Sequence, residues 1–140
     1  KWAKQMKQSF IESGIDISDQ VDEHGNHMLA YSQIMDDIPP TDICYYFNSE
    51  GEKYDFLNIY VLVMTIDNPD KQDVLRGLLN LFNENFKFFK FVVDEEGHIE
   101  MRYTAFLTDC VDIDMIVGYT WYAIGMLKKT YPVLEKLKND

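Results

Sequence analysis

The sequence predicts an α+β fold, with helices packed on an antiparallel sheet of about five or six strands. Three observations predict it. Ile99, Met101, Tyr103, Ala105 and Leu107 alternate with His98, Glu100, Arg102 and Thr104, the period of a strand with one buried and one wet face. Asn68-Pro69-Asp70 marks a helix start directly after a long apolar run. From Ile113 onward, apolar residues recur at three- and four-residue spacing, the signature of an amphipathic helix. The expected order is α-β-β-β-β-α-β-β-α, in a single domain covering residues 1–140.

Trp2, Met6 and Phe10, with Ala3 and Ile11 beside them, give the apolar stripe of a short first helix, and Gly14 is placed to end it. Ile15, Ile17 and Val21 alternate loosely as a strand. His24-Gly25-Asn26 reads as a hairpin turn, and Met28 to Met35 as the returning strand. Pro39 and Pro40 cannot donate to a ladder, so Asp36 to Pro40 is a loop. Ile43 to Phe47 is a third strand, with Ser49-Glu50-Gly51-Glu52 as its turn. Phe56 to Ile66 (FLNIYVLVMTI) is so continuously apolar that it reads as a central strand covered on much of both faces.

In the next helix, Asn68 caps, Pro69 suits the first position, and Asp70 and Asp73 oppose the dipole. Val74, Leu75, Leu78, Leu79, Phe82 and Phe86 form its expected inner face. A hairpin follows, with Phe89, Phe91 and Val93 on one strand, Asp94-Glu95-Glu96-Gly97 at the turn, and Ile99 to Leu107 returning. Asp109 or Asp112 is the expected cap of the last helix, and Pro132 is expected to kink or restart it after Tyr131.

That last helix carries more apolar surface than a sheet-covering role needs. Ile113, Ile116, Val117, Ile124, Leu127, Tyr131 and Leu134 form a core stripe. Met115, Tyr119, Tyr122 and Met126 form a second stripe, and Trp121 adds to it. Gly118 and Gly125 each cost about 1 kcal/mol of helix stability against Ala, and permit close backbone approach. The second stripe either packs within the monomer or meets a partner. The residues alone do not separate the two; because large exposed apolar patches mark interfaces, the hypothesis is a homodimer, with Met115, Tyr119, Trp121, Tyr122 and Met126 as the expected dimer or partner-binding residues.

Composition excludes several functions. A formal charge of −11 opposes nucleic-acid binding, which needs clustered Lys and Arg. The chain shows no apolar run long enough to span a membrane and no signal-peptide pattern, so a cytoplasmic location is expected. Two cysteines, Cys44 and Cys110, are too few for a disulfide framework and read as structural thiols.

No catalytic constellation is expected either. Ser9, Ser18, Ser32 and Ser49 lack a nucleophile-elbow motif, and Gly25, Gly51 and Gly97 are single turn glycines rather than a phosphate cradle. His24 and His27, near Glu23, have the residue types of a metal site. A polar turn explains them better, because zinc signatures need a second half. Asp109, Asp112 and Asp114 do not match a calcium loop and are better read as helix-start residues. The expectation is therefore a non-enzymatic protein without metal or cofactor.

The segment LLNLFNENFKFFKFVVDEEGHIEMRYTAFL (Leu78 to Leu107), followed by a long helix ending TYPVLEKL (Thr130 to Leu137), resembles the YbjN family, described as bacterial sensory transduction regulators, and the related class I type III secretion chaperones. The resemblance is good over the second half and extends to the first half only in element order. It implies a secretion-chaperone-like α+β fold, frequent homodimers, no enzymatic activity, and a role as a small chaperone or regulator that binds protein through an apolar surface. The extra strand pair before the central strand departs from that family, and no binding residue carries over. The alternative expectation is a small-ligand sensor whose aromatic interior holds a metabolite.

Overall fold

Six antiparallel strands form one sheet in the order β1-β2-β3-β4-β6-β5. The computed structural model describes residues 2–50, 54–108 and 112–140. Its elements are α1 (Trp2–Glu12), β1 (Ser18–Val21), β2 (His27–Gln33), β3 (Thr41–Glu50), β4 (Tyr54–Thr65), a 3₁₀ turn (Pro69–Lys71), α2 (Gln72–Asn85), β5 (Lys90–Val93), β6 (His98–Leu107) and α3 (Ile113–Asn139). This is the expected α+β order. Only one pairing departs from sequence neighbours. The chain leaves β4, runs through α2 and returns as a hairpin, so β6 lies beside β4 and β5 becomes an edge.

Strand alternation sorts the side chains onto two faces. Ile43, Tyr45 and Phe47 of β3, Leu57, Ile59 and Val61 of β4, and Ile99, Met101 and Leu107 of β6 are all buried on one of them. Across that face Ile59 sits opposite Tyr45 and Tyr103, and Val61 opposite Ile43 and Met101. Met6 and Phe10 of α1 and the inner stripe of α3 complete this core.

The other face is open. Leu62 is 44% exposed, and Phe56, Asn58 and Tyr60 are only half-buried. This corrects the expectation that β4 is covered on both sides. A continuous apolar run also results when an open sheet face carries aromatic residues, and periodicity cannot separate the two cases.

The local signals mostly act as expected. Gly14 (φ +80°) ends α1 in a Schellman motif: Ile15 N–H bonds the Phe10 carbonyl, and Gly14 N–H bonds that of Ile11. Asn68 caps the 3₁₀ turn by accepting from Asp70 N–H at 2.9 Å. Asp112 caps α3 by accepting from the N–H groups of Asp114 and Met115. Gly97 (φ +86°) is required twice over, since a β-carbon there would stand 2.2 Å from the Ile66 carbonyl oxygen.

Other expectations are corrected. β1 starts only at Ser18, although Ile17 is buried. Val74, expected on the inner face of α2, is 61% exposed, because α2 turns only Leu75 and Leu79 fully inward. α3 continues as one helix through Pro132, so it does not restart after Tyr131. The expected roles of Gly51, Glu52, Asp109 and Cys110 lie outside the described residues.

The two sheet edges are protected differently. At β5, the Asn83 carboxamide accepts from Phe91 N–H at 2.7 Å and donates to the Phe91 carbonyl at 3.1 Å. A side chain of α2 thus stands where a further strand would pair. β1 is short, exposed and charged, another way to discourage edge-to-edge pairing. Replacing Asn83 with Leu removes both bonds and leaves the Phe91 groups without them. We expect a loss of about 1–3 kcal/mol in urea unfolding, with faster aggregation of the variant; unchanged stability would show that the Asn83 clamp is dispensable.

The β5–β6 turn is pH-sensitive. Asp94 accepts from the N–H groups of Glu96 and His98, and lies 2.8 Å from His98 Nδ1. The backbone bond from His98, followed by the ring contact, holds Asp94 below its ordinary 3.8. The hydrogen bond and charge of Asp94 raise His98 above 6.5. The Asp94 contribution is complete above 3.8 and fades as pH falls through its lowered value. The His98 contribution is complete below 6.5 and fades as pH rises through its raised value. Both act fully between those limits. An NMR titration should place His98 above 6.5 in the wild type and bring it back toward 6.5 in Asp94→Asn.

Candidate interaction surface

The orientation of α3 decides which of its residues are available. Tyr45 stands on the inner sheet face, fully buried, and its hydroxyl hydrogen-bonds Thr120 Oγ1 on α3. Burial pushes the Tyr45 phenol well above its ordinary pKa, with the Thr120 bond opposing it, so it stays neutral. With Thr120 turned inward, Ile113, Ile116, Val117, Ala123, Ile124, Leu127, Thr130 and Leu134 are buried along the same side. Thr130 bonds the Met126 carbonyl at 2.9 Å, as a buried hydroxyl in a helix is expected to do.

The second stripe does not stay together. Met126 is 2% exposed and belongs to the core, so it is corrected out of the expected partner-binding set. Its position, three residues from Ala123 and one from Leu127, puts it on the flank of the inner stripe. Tyr119 is half-buried. Met115 (54%), Trp121 (48%) and Tyr122 (39%) are exposed. Three of the five residues thus face outward, one lies at the boundary, and one is inside.

The boundary is built by a residue that sequence reasoning missed. Phe88, between α2 and β5, has φ +71°, rare for a bulky side chain. Phe89 N–H bonds the Lys87 carbonyl at 2.8 Å across it, which makes a tight γ-turn. Such a conformation costs about 1–3 kcal/mol and persists only where the surroundings impose it.

Here the surroundings are aromatic. The Phe88 ring stacks on Tyr119 (5.3 Å, 18°) and meets Tyr122 and Tyr103 edge-on at 5.6 and 6.2 Å. Tyr103 also meets Tyr119 edge-on at 5.3 Å. Lys87 N–H donates to the Tyr122 hydroxyl at 3.1 Å, latching the strained turn to α3. Phe88 nevertheless remains 49% exposed. The sequence held a trace of this: with Phe89 and Phe91 inward, Phe88 is a third phenylalanine left on the wet side of the run.

A second exposed apolar set lies on the open sheet face. Phe56 and Phe106 are in ring contact at 4.8 Å, Phe106 is 60% exposed, and the Arg102 guanidinium lies over the Tyr60 ring at 5.5 Å. Cys44 shares this face, half-buried. Burial, then the charges of Asp42 and Glu100, raise its thiol pKa, the opposite of what activates a nucleophile.

The histidine cluster separates. His27 pairs with Asp19 at 2.9 Å, and His24 lies 3.5 Å from Glu23. Among the described residues no group of three or more His, Cys, Asp or Glu is placed to hold a metal ion. Asp22 is the hub of that turn, accepting from the N–H groups of His24 and Asn26 and from the Tyr46 hydroxyl. Among the described residues no helix is long and apolar enough to cross a membrane.

No protein-family model matches the chain, and no curated protein matches it significantly. The surface must be read on its own chemistry.

Removing one oxygen tests whether the latch holds the strained turn. Tyr122→Phe keeps the ring and deletes the bond to Lys87. We expect the Lys87 amide to exchange with solvent faster and stability to fall by about 0.5–1.5 kcal/mol. Unaltered Lys87 protection would mean that the aromatic stack alone suffices.

Proposed function

We propose that this protein is a non-enzymatic protein-binding domain, a YbjN-like regulator or small chaperone, that acts through the apolar surface of α3 and associates as a homodimer. One observation carries the reading. Met115, Trp121, Tyr122 and Phe88 are all at least 39% exposed on or beside one helix, and one of them is held there in a strained backbone conformation. Interface cores are enriched in aromatic residues and methionine, while solvent-facing helix positions ordinarily carry charge. Methionine adapts to irregular partners, and an aromatic fixed in place loses little freedom on binding.

A sensor for a small metabolite would favour an enclosed apolar cavity. The depression between α1 and the start of α3, lined by Gln5, Gln8 and Asp112 among others, is polar instead. That favours a partner with a surface of its own.

Substitution at exposed positions tests the reading without disturbing the core. Met115→Lys with Trp121→Lys should abolish self-association and partner capture in sedimentation velocity and pull-down, and shift the melting temperature by only a few degrees. Phe106→Lys on the open sheet face should leave both intact. If the α3 pair has no effect and Phe106→Lys abolishes association, the working surface is the sheet.

A further inference from the structure

The outward side of α3 carries a self-complementary pattern. At about 100° per residue, Asp114, Gly118, Gly125 and Lys129 fall close to one line along the helix, with Trp121 and Tyr122 flanking its middle. Among the described residues nothing lies within 4 Å of where a β-carbon would stand at Gly118 or Gly125, so no packing against their elements calls for glycine at either site. Asp114 is at one end of this face and Lys128 and Lys129 at the other; all three are exposed. Asp114 accepts one bond, from Ser9 Oγ at 2.8 Å.

This order reads the same after reversal with the charges exchanged. Turn a second α3 antiparallel about a point between Trp121 and Tyr122. Gly118 then faces Gly125, Trp121 and Tyr122 gather at the axis, and Asp114 of each copy faces Lys128 and Lys129 of the other. We propose that a second copy of this chain docks on this face, α3 against antiparallel α3, with the two glycines in close backbone contact and an Asp114–Lys128/Lys129 charge pair at each end.

Charge complementarity argues for this occupant over an unrelated protein. An isologous contact needs each patch to complement itself, and an acidic end with a basic end at equal distances from the centre meets that need. Antiparallel packing also sets opposed helix dipoles side by side. The inference rests on the homodimer in the proposed function and adds its geometry.

Charge reversal with rescue tests the geometry in the whole chain. One variant carries Asp114→Lys, the other Lys128→Glu with Lys129→Glu. Each alone places like charges at both ends, and sedimentation equilibrium should show the dimer weakened about ten-fold or more. An equimolar mixture brings opposite charges together and should restore a mixed dimer. Circular dichroism checks that each variant is folded.

If either fails to fold, Gly125→Leu takes its place. It has open space, it favours the helix, and it should raise the melting temperature while abolishing the dimer. A wild-type dimer indifferent to the reversals, with no gain on mixing, or a dimer that survives Gly125→Leu, overturns the antiparallel arrangement and leaves homodimerisation standing. A wild type that stays monomeric to several hundred micromolar overturns both.

Discussion

The fold turns on one buried hydrogen bond. A tyrosine at the centre of an apolar sheet face brings a large ring into the core together with a hydroxyl that must be satisfied there. Leaving such a group unpaired costs about 1–3 kcal/mol, a large share of a small domain's stability. Tyr45 finds its partner in Thr120, in the first third of a 27-residue helix. That contact and the buried apolar stripe on either side of it require the same rotation of α3. A rigid helix has one rotation along its length, so the side that carries Thr120 inward also fixes the direction of residues two turns away on either side.

Both faces of α3 follow. With Thr120 inward, Ile116, Ala123 and Leu127 are buried, Trp121 and Tyr122 are exposed, and Gly118 and Gly125 are half-buried. The same rotation brings Tyr119 and Tyr122 beside the end of α2, where Phe88 is held at positive φ against them. The strained turn, the latch from Lys87 and the exposed aromatic set are thus consequences of how the helix is seated. The Asn83 clamp does comparable work on the other side of that turn, tying α2 to the edge of the sheet through Phe91.

Much of this was legible in the residues, because the signals concerned are local. The Gly14 stop, the Asn68 and Asp112 caps and the alternation of β6 each depend on a few neighbouring residues. The errors share a different origin. Met126, at i+4 from Tyr122, extends the second stripe in the sequence, yet the threonines and Ala123 widen the true inner face toward it. Small and hydroxylated residues at core positions do not register as apolar, so the buried sector looked narrower than it is. β4 was read as doubly covered because its outer face carries Phe56, Tyr60 and Leu62, residues that look buried until the helices are known to lie on one side only.

By itself, the sequence determined the class of fold, the order of its elements, and the fact that α3 carries more apolar surface than the sheet requires. These rest on propensity, capping and periodicity, which act over a few residues. Only the tertiary structure decided where that surplus points. The rotation of α3 depends on a contact between residues 75 positions apart, and the conformation of Phe88 depends on rings contributed by β6 and α3. Contacts across that distance depend on how several elements share one face, and no local pattern along the chain records that.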